Sequence, residues 1–552
     1  MNKLTSTIER SQIVQHLTNQ TYDILVIGGG ITGAGIALDA ASRGYKTALV
    51  EMQDFATGTS SRSSKMIHGG LRYLKNYEIK VVSEVGRERT IVYENGPHIT
   101  SPEKMILPIY RDADYGVFMT SVGLTVYDLL AGVKKEERKN MLKIPQLLEM
   151  EPKIKQQDLL GGGYFIEYRS DDARLTIEVI KESIEKGATV LNYAKVTELL
   201  YTNNSISGAK VYDELSGESF QVHAKKVINA CGPWVDQIKD KHEDDTITKL
   251  HLSKGVHLVF SQEVLPVENS LYFDTPDGRM VLVIPRDGKT YVGTTDTTYQ
   301  GDIHNPSITH EDVDYLLNML NYIFPHHPLS KDQIETAWAG IRPLIEQKGK
   351  NESSISRKNE IWTSPAGLIT IAGGKLTGYR KMAESVVNLV SKQLHTEYHY
   401  PIKPCLTRRL PVSGGHVGGS KNWMTYSARK QQLLENLHIP TDRVKQLVKR
   451  YGSNIDRVID IINSSEAAAK NYNVPVDLYA EVLYSIHYEL TAKPVDFFVR
   501  RTSAMLFHHE WLQQWKTQVI HIMKDILQWD EATSEHYNKE LEEYIRIATT
   551  IE

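Results

Sequence analysis

The segment Tyr22–Glu51 has the features of a dinucleotide-binding βαβ unit. An apolar run, Ile24–Ile27, is typical of a buried parallel strand, and it leads into the glycine-rich turn Gly28–Gly33. An alanine-rich helical stretch follows, and then a second strand, Lys46–Val50, which ends at the acid Glu51. A glycine motif alone occurs by chance in ordinary loops. Because this one is flanked by two strands, a helix and an acid, the segment predicts a site for FAD or NAD.

Each part of this unit has a physical role in binding a dinucleotide. Gly28 permits the tight turn, Gly30 lets the backbone approach a pyrophosphate, and Gly33 lets the helix pack closely on the strand. The start of the helix offers N–H groups and the positive end of a dipole to the phosphates. Glu51 lies about twenty residues after the first glycine, where a carboxylate accepts from the adenosine ribose. The turn residues predicted to contact the cofactor are Gly28, Gly30, Ile31, Thr32 and Gly33.

A hydroxyl-rich segment, residues 59–73, favours FAD over NAD. It follows the second strand, where a chain can run along an extended cofactor and meet its phosphates and flavin edge with hydroxyl and N–H groups. Within it, Met66–Gly70 interleaves apolar residues with glycine, which a solvated linker does not need. The cofactor-binding candidates in this segment are Ser60, Ser61, Ser64, Lys65 and His68.

Three motifs together resemble those of one flavoenzyme family. They are GGGITGAGIALDAASRG after the first strand, SSRSSKMIHGGLRYL after the second, and GGKLTGYR at residues 373–380. This combination resembles the FAD-dependent glycerol-3-phosphate dehydrogenases of the aerobic bacterial type, and the resemblance extends over essentially the whole chain. It implies FAD as the cofactor. It also implies oxidation of sn-glycerol 3-phosphate to dihydroxyacetone phosphate by hydride transfer to flavin N5.

Length and composition are those of a large globular enzyme. The chain has 552 residues, which predicts two or three domains, and 41% hydrophobic residues are an ordinary globular value. A net charge of −4 gives no electrostatic reason to bind nucleic acid. Only 2 cysteines argue against a disulfide framework or a thiolate metal cluster and suit a reducing cytosol, so no metal is expected. No signal peptide and no membrane-spanning apolar run are visible, so the expected location is cytoplasmic.

The order of segments predicts an α/β FAD-binding, Rossmann-like domain with a β-rich substrate cap and an all-helical C-terminal domain. The predicted FAD-binding domain is discontinuous and comprises residues 20–97, 185–240 and 335–395. Residues 98–184 and 241–334 are predicted to form the cap, in which the turns Asp277-Gly278 and Asp287-Gly288 connect alternating strands. Residues 396–552 are predicted to be helical, because Leu512, Trp515, Val519, Met523 and Ile526 recur at helical spacing.

The family resemblance adds cofactor contacts from two later segments. Strands expected near Val196 and Ala230 would border the adenine and close the cofactor crevice, although both could instead be ordinary core. Lys375 and Thr377, at a helix start, would lie near the polar edge of the flavin, where negative charge collects on reduction. Cys231 is interpreted as a small buried residue and not as a nucleophile. The later cofactor-binding candidates are Val196, Ala230, Gly232, Gly374, Lys375, Leu376 and Thr377.

The phosphate of such a substrate carries about −1.5 to −2 charges and therefore requires cations. Arginine is preferred because its forked donors match phosphate oxygens. Arg72, Arg342, Arg357 and Lys375 lie beside glycine, proline or apolar residues, unlike cations on a solvated helix, although each alone could be a structural ion-pair partner. Tyr73 could add a phenolic donor.

Oxidation of an alcohol also requires a base for the hydroxyl proton. Of 20 histidines, His257 and His68 are the best placed, and imidazole titrates near neutrality. His257 would face the flavin from a cap strand if Val256 and Leu258 point the other way, whereas His68 lies beside the flavin-binding glycines. We favour His257 and expect Arg342 to stabilise the developing alkoxide in either case.

Other functions and other electron acceptors remain open at this point. An amine-oxidising flavoenzyme shares this build but needs a carboxylate clamp, and a non-enzymatic nucleotide-binding regulator needs no cation-lined pocket. No second nucleotide-binding fingerprint is visible, so bound NAD is not expected as acceptor. Related oxidases that use oxygen carry an inserted segment with no counterpart here. The sequence therefore favours a membrane quinone, reached from the inner surface of the cell membrane by a peripheral protein that could form homo-oligomers.

Overall fold

A computed structural model describes residues 4–69, 79–111, 116–131, 133, 137–241, 250–345, 359–373 and 375–551. The described strands are β1 Thr21–Ile27, β2 Thr47–Val50, β3 Met66–Ile67, β4 Thr100–Tyr110, β5 Asn140–Leu142, β6 Leu159–Ser170, β7 Thr189–Leu191, β8 Ala194–Thr202, β9 Ser205–Asp213, β10 Ser219–Asn229, β11 Leu250–Ser261, β12 Ser270–Asp274, β13 Met280–Arg286, β14 Lys289–Gly293, β15 Thr297–Thr298, β16 Thr336–Ile345, β17 Glu360–Thr363 and β18 Ile369–Ala372.

The helices before residue 400 position the two sheets, and the later ones follow the last strand. They are α1 Arg10–Thr18, α2 Ile31–Ser42, α3 Ile79–Asn95, α4 Val117–Ala131, α5 Ile144–Met150, α6 Asp172–Glu185, α7 His310–Ile323, α8 Tyr379–Tyr398, α9 Ser420–Glu435, α10 Thr441–Tyr451, α11 Ile455–Ser464, α12 Glu466–Asn471, α13 Val476–Tyr488, α14 Ala504–Phe507, α15 His509–Leu527 and α16 Glu531–Thr549.

The first sheet is the FAD-type sheet, with strand order β17-β18-β10-β1-β2-β7. Strands β18, β10, β1, β2 and β7 are parallel to one another, β17 pairs antiparallel with β18, and β8 and β9 extend β10 as an antiparallel meander. Both faces of β1 are buried, which explains its continuous apolar sequence. Helices α2, α6 and α8 pack into the same core. The predicted α/β fold is therefore confirmed.

The second sheet forms the β-rich cap, with strand order β15-β11-β14-β13-β12-β4-β6-β3. Strand β16 pairs with β11 and β5 pairs with β6. One face of β11 packs on helix α7 through Val256 and Leu258. Residues along a strand alternate between faces, so His257 lies on the opposite face, as the alternation predicted.

Three segments lie in a different part of the fold from the one that was predicted for them. The short strand β3 was assigned to the FAD-binding domain, but it pairs antiparallel with β6 of the cap sheet. Strand β16 was assigned to the FAD-binding domain, but it pairs antiparallel with β11 from Leu250 to Val259 and belongs to the cap sheet. Helix α6 was assigned to the cap, but its apolar residues, including Leu175 and Val179, pack into the core of the first sheet. In all three cases long-range pairing or packing decides the location, and the local sequence pattern does not show it.

After β18 the described residues form helices joined by loops and no strand, as predicted. Of the residues that indicated the long helix α15, Leu512, Val519 and Met523 are buried, whereas Trp515 and Ile526 are partly buried against the same core. Within the described residues, no helix combines the length and apolar character required to cross a membrane.

Candidate active site

A cavity of about 570 Å³ opens at the carboxyl ends of β1, β2 and β10 and is closed on its other side by the cap sheet. Along the chain, β2 and β7 follow on one side of β1, and β10 and β18 lie on the other side. The crevice therefore lies where the strand order reverses, which is where open α/β sheets bind their ligands. Its volume is within the range of small-molecule and cofactor sites.

The glycine turn at the end of β1 is built so that backbone forms the cavity wall. Gly28 has φ +110°, a conformation that favours glycine, and its N–H donates to the carbonyl of Val50 at 2.9 Å. A Cβ on Gly33 would lie 1.9 Å from the carbonyl oxygen of Gly28. The turn and the start of α2 therefore touch directly, and Gly33 supports the turn from behind without lining the cavity.

Glu51 is fixed at the end of β2, on the wall of the cavity. Its Oε2 accepts from the Gly29 N–H at 2.6 Å and its Oε1 accepts from the Gln53 N–H at 2.9 Å. Burial raises the pKa of this carboxyl, and the two backbone N–H groups oppose that rise. An acceptor is thus held in one orientation beside the glycine turn, where a ribose hydroxyl would be recognised.

The hydroxyl-rich segment contributes to the cavity only in part. Ser60 lines it, and its Oγ accepts from the first N–H of α2, that of Ile31, at 2.9 Å. Lys65, by contrast, is buried away from the cavity, where its Nζ donates to Asp172 Oδ1 at 2.7 Å and to the Ser61 carbonyl at 2.8 Å. Ser61 and Lys65 therefore link the segment to α6, and a cofactor contact from their side chains does not fit this arrangement.

His257 reaches the cavity from the centre of the cap sheet. Its ring stacks on Trp338 of β16, with 4.5 Å between ring centroids and an interplanar angle of 4°. Its Nε2 lies 2.8 Å from Ser64 Oγ, so that these two predicted site residues are in contact. Burial lowers the pKa of His257 well below its usual range, and the positive charges of Arg342 and Lys65 lower it further. The imidazole is therefore neutral at neutral pH, as a proton acceptor must be.

Arg342 lies on β16 with its guanidinium in the cavity wall. Nη2 donates to Thr294 Oγ1 at 2.9 Å, and Nη1 lies 3.3 Å from Asp296 Oδ1. Asp296 in turn accepts from the hydroxyl of Ser253 at 2.5 Å. The side chain of Arg342 is only about one-fifth exposed, at 21%. A partly desolvated, oriented guanidinium of this kind suits an anionic ligand.

Two segments meet at the opposite wall, near the start of α8. Lys375, Leu376 and Thr377 line the cavity. The backbone N–H of His68 donates to Thr377 Oγ1 at 3.1 Å, and the same hydroxyl lies 3.1 Å from the His68 carbonyl. The side chain of His68 is exposed towards the cavity. His68 and His257, the two histidines proposed as the base, therefore both border this one site.

Most of the site residues predicted from the sequence lie around this cavity. Four other predicted residues, Arg72, Tyr73, Arg357 and Gly374, lie outside the described residues. Gly33, Ser61 and Lys65 support the site from behind. The predicted residues that line the cavity are Gly28, Gly30, Ile31, Thr32, Glu51, Ser60, Ser64, His68, Val196, Ala230, Gly232, His257, Arg342, Lys375, Leu376 and Thr377.

The residues that orient Arg342 are not among those predicted from the sequence. Thr294 and Asp296 follow β14 directly in the run Gly293-Thr294-Thr295-Asp296, and both line the cavity. A glycine followed by hydroxyls and an acid at the end of a strand was the signal that could have identified them. Trp234, another lining residue, covers Gly58, where an added Cβ would lie 2.8 Å from its ring.

These residues fit a bound FAD. The glycine turn presents bare backbone to the cavity, where a pyrophosphate could approach it, and a Cβ built on Gly30 would already be crowded by Ser60 Oγ at 3.2 Å. Glu51 is oriented for a ribose, and Lys375 with Thr377 offers positive charge and donors at the far end of the cavity. Among the described residues, no group of three or more His, Cys, Asp or Glu side chains is arranged to hold a metal ion.

Comparison with known proteins agrees with this geometry. The family model described as FAD dependent oxidoreductase matches residues 23–380, and the one described as C-terminal domain of alpha-glycerophosphate oxidase matches residues 405–534. The aerobic glycerol-3-phosphate dehydrogenase of Bacillus subtilis (strain 168) is 53% identical over 548 residues, which cover 99% of each chain. That of Staphylococcus aureus (strain USA300) is 50% identical over 545 residues, or 98% of each chain.

A solved structure supports the same assignment. The crystal structure of the glycerol-3-phosphate dehydrogenase from Bacillus halodurans, complexed with FAD, has a TM-score of 0.86 and 41% identity to this chain. The match covers 99% of this chain and 98% of that one, so both sheets and the C-terminal helices are shared. The chain belongs to the FAD-dependent oxidoreductase family, within the group of aerobic glycerol-3-phosphate dehydrogenases.

Proposed function

We propose that the enzyme oxidises sn-glycerol 3-phosphate to dihydroxyacetone phosphate and passes the electrons to a membrane quinone. One observation carries the first half of this proposal. A neutral histidine, His257, and two cations, Arg342 and Lys375, border the same cavity as the glycine turn of the FAD site. A secondary alcohol that carries a phosphate needs this combination of groups and no metal ion.

The reaction removes a hydride and a proton, that is two electrons and two protons in total, from the secondary alcohol group. With FAD bound in this cavity, flavin N5 would be the acceptor for the hydride that leaves C2 of the substrate. The hydroxyl proton goes to a histidine, and we assign this role to His257, whose Nε2 also contacts Ser64 Oγ. As the C–H and O–H bonds break, the C–O bond becomes a carbonyl. The guanidinium of Arg342 lies in the same wall, where it can stabilise negative charge on that oxygen.

Phosphate recognition explains why the cavity carries more cations than an alcohol alone would need. Arg342 and Lys375 line it, and Arg72 and Arg357 are further candidates from the sequence. An amino acid substrate, as in amine-oxidising relatives of this fold, would need only a clamp for one carboxylate. The proposal is tested by comparing product formation from sn-glycerol 3-phosphate, glycerol and a panel of amino acids. Turnover with an amino acid but not with the phosphate ester would contradict it.

The proposed route to a quinone needs a surface that meets the membrane. Helix α4 has one large apolar face directed to solvent, with Phe118 77% and Leu129 81% exposed. Met119, Val122 and Val126 belong to the same exposed face. We infer that this helix lies in the lipid interface, because solvated globular proteins rarely expose contiguous apolar patches of this kind.

Neighbouring charges suit an anionic lipid surface. Arg111, just before α4, has a 77% exposed side chain, and Arg138, just after it, is exposed. The opposite face of the helix is fixed to the protein, since Tyr127 is buried and its hydroxyl accepts from the Gly69 N–H at 3.0 Å. Gly69 directly follows His68, which lines the cavity. The hydrogen bond between Gly69 and Tyr127 therefore connects the proposed lipid-facing helix to the cavity wall.

The acceptor is tested with a soluble quinone, anionic vesicles and oxygen. We expect slow peroxide formation with oxygen alone, and faster turnover when quinone and vesicles are added. The double variant F118S/L129S should lose vesicle binding and quinone turnover but keep reduction of its flavin by substrate. M424S is the matched control, because Met424 is 82% exposed on helix α9. Rapid oxygen turnover with stoichiometric peroxide, unaffected by quinone or lipid, would refute the quinone assignment.

A further inference from the structure

The loop that follows β2 is tied to the C-terminal helices by a buried carboxylate, Asp54. Its side chain is completely buried, with 0% exposure. Oδ2 accepts from Arg500 Nε at 2.5 Å and from Arg501 Nη1 at 2.8 Å, while Oδ1 accepts from Arg501 Nη2 at 2.9 Å. Burial alone would raise the pKa of Asp54, but the charges of Arg501 and Arg500 lower it to about 2. Asp54 is therefore ionised and paired twice with the C-terminal domain.

A second contact connects the same loop to the same turn of the C-terminal domain. The carbonyl of Gln53 accepts from the N–H of Tyr193 at 2.8 Å. The Tyr193 hydroxyl donates to Asp496 Oδ1 at 2.6 Å, and Arg500 Nη2 also donates to that oxygen at 2.6 Å. Asp496, Arg500 and Arg501 all lie in one π-helical turn, Asp496–Arg501. Such turns are rare and are frequently found at functional sites.

The loop fixed in this way is the one that carries the ribose acceptor of the FAD site. Glu51 precedes Asp54 by three positions, and its carboxylate is oriented by the N–H of Gln53. Glu51, Gln53 and Thr57 line the cavity, whereas Asp54 lies behind them. The carbonyl of Asp54 also accepts from the Thr57 hydroxyl at 2.7 Å. The two arginines are thus joined to the cavity wall through a single short loop, residues 51–57.

We propose that Arg500 and Arg501 are positioning residues for the cofactor, through which the C-terminal helical domain holds the loop that binds the adenosine end of FAD. The domain and the cofactor then stabilise each other, because both favour the same conformation of residues 51–57. Removing one partner of the buried pair should loosen Glu51 without touching His257, Arg342 or Lys375. The flavin end and the chemistry should be unaffected once FAD is bound.

The test uses the purified holoenzyme and two variants, D54N and R500K. FAD release on dilution is followed by the fluorescence of free flavin, which gives the dissociation constant, and ADP competition reports the adenosine end separately. We expect FAD to bind at least ~10-fold more weakly in both variants, or about 1.4 kcal/mol, with a parallel weakening of ADP binding. At saturating FAD, kcat and the KM for sn-glycerol 3-phosphate should stay at the wild-type values.

The matched control is R443K, which alters another arginine of the same domain. Arg443 pairs with Asp477 at 2.9 Å and also with Glu481, and neither carboxylate contacts the loop after β2. R443K should lower Tm but leave FAD and ADP affinity unchanged. If D54N and R500K lower Tm to the same extent as R443K and bind FAD and ADP like the wild type, the arginines only stabilise the domain interface and the proposal is wrong. Weaker FAD binding with unchanged ADP binding would also overturn it.

Discussion

The two ends of the cavity are built in different ways. At the adenosine end, a single stretch of chain supplies the wall with backbone groups, and Gly28, Gly33 and the N–H of Gly29 determine its shape. At the substrate end, side chains from separate segments converge, with His257 on β11, Arg342 on β16 and Lys375 before α8. The shape of the adenosine end requires glycines without a side chain, whereas the substrate end requires polar and charged side chains. Substitutions at the adenosine end should therefore weaken FAD binding, and substitutions at the substrate end should slow the reaction.

The largest effect is expected from adding one carbon at the adenosine end, because an enzyme that loses its flavin loses all of its activity. In G33A the new Cβ would overlap the carbonyl of Gly28, at 1.9 Å, so the turn or α2 must shift. We expect FAD binding to weaken by about 3 kcal/mol or more, roughly 100-fold, and the enzyme to purify largely without flavin. The measurement is flavin absorbance per protein. G123A is the control, because a Cβ on Gly123 meets nothing within 4 Å, and it should keep its full flavin content.

The next largest effect is expected at the base. H257Q removes the proposed proton acceptor but keeps a polar side chain, so kcat should fall by about 10²–10⁴-fold while the flavin remains bound. Rapid-reaction measurement of flavin reduction separates this loss from any effect on the later transfer of electrons to the quinone. The rate of flavin reduction should fall less in H68Q than in H257Q. If H68Q has the larger loss, His68 is the base and the assignment of His257 is wrong.

Loss of a single cation should distinguish phosphate binding from chemistry. R342A and K375A should each lower kcat/KM for sn-glycerol 3-phosphate by an amount equivalent to about 2–4 kcal/mol, because a charge-assisted contact to a desolvated phosphate is removed. Glycerol has no phosphate, so its kcat/KM should fall far less than that of sn-glycerol 3-phosphate in K375A. In R342A it should fall as well, because Arg342 is also assigned to the developing alkoxide. Equal losses for both substrates in K375A would assign Lys375 to the fold or the flavin.

A smaller effect is expected in the dependence of stability on pH. Burial depresses the pKa of folded His257 well below the value of about 6.5 that it has in the unfolded chain. Below pH ~6.5 the unfolded state therefore binds a proton that the folded state does not, and stability falls by up to about 1.4 kcal/mol per pH unit from this residue. Tm should consequently fall more steeply with acidification in the wild type than in H257Q. Parallel curves for the two proteins would show that His257 is not buried in neutral form.

The difference between the two ends also explains what could be predicted from the sequence. The glycine turn and Glu51 belong to one short stretch of chain, so the sequence of residues 22–51 was enough to predict their arrangement. Similarly, the helical spacing of apolar residues in α15 was enough to predict the helical domain. The partners of Arg342 were missed because Thr294 and Asp296 approach it only through the pairing of β14 and β16 with β11. Lys65 was taken for a cofactor ligand because its ion partner, Asp172, is more than one hundred residues away.

The central claim is that the substrate end selects a phosphate-bearing alcohol and delivers its electrons to the FAD held by the other end. Anaerobic addition of sn-glycerol 3-phosphate to the holoenzyme tests it most directly, with glycerol at the same concentration as the comparison. We predict stoichiometric bleaching of the flavin absorbance by sn-glycerol 3-phosphate, with formation of dihydroxyacetone phosphate, and no bleaching by glycerol on the same timescale. An enzyme with its full content of FAD that is not bleached by sn-glycerol 3-phosphate, or is bleached equally by both compounds, would contradict the claim.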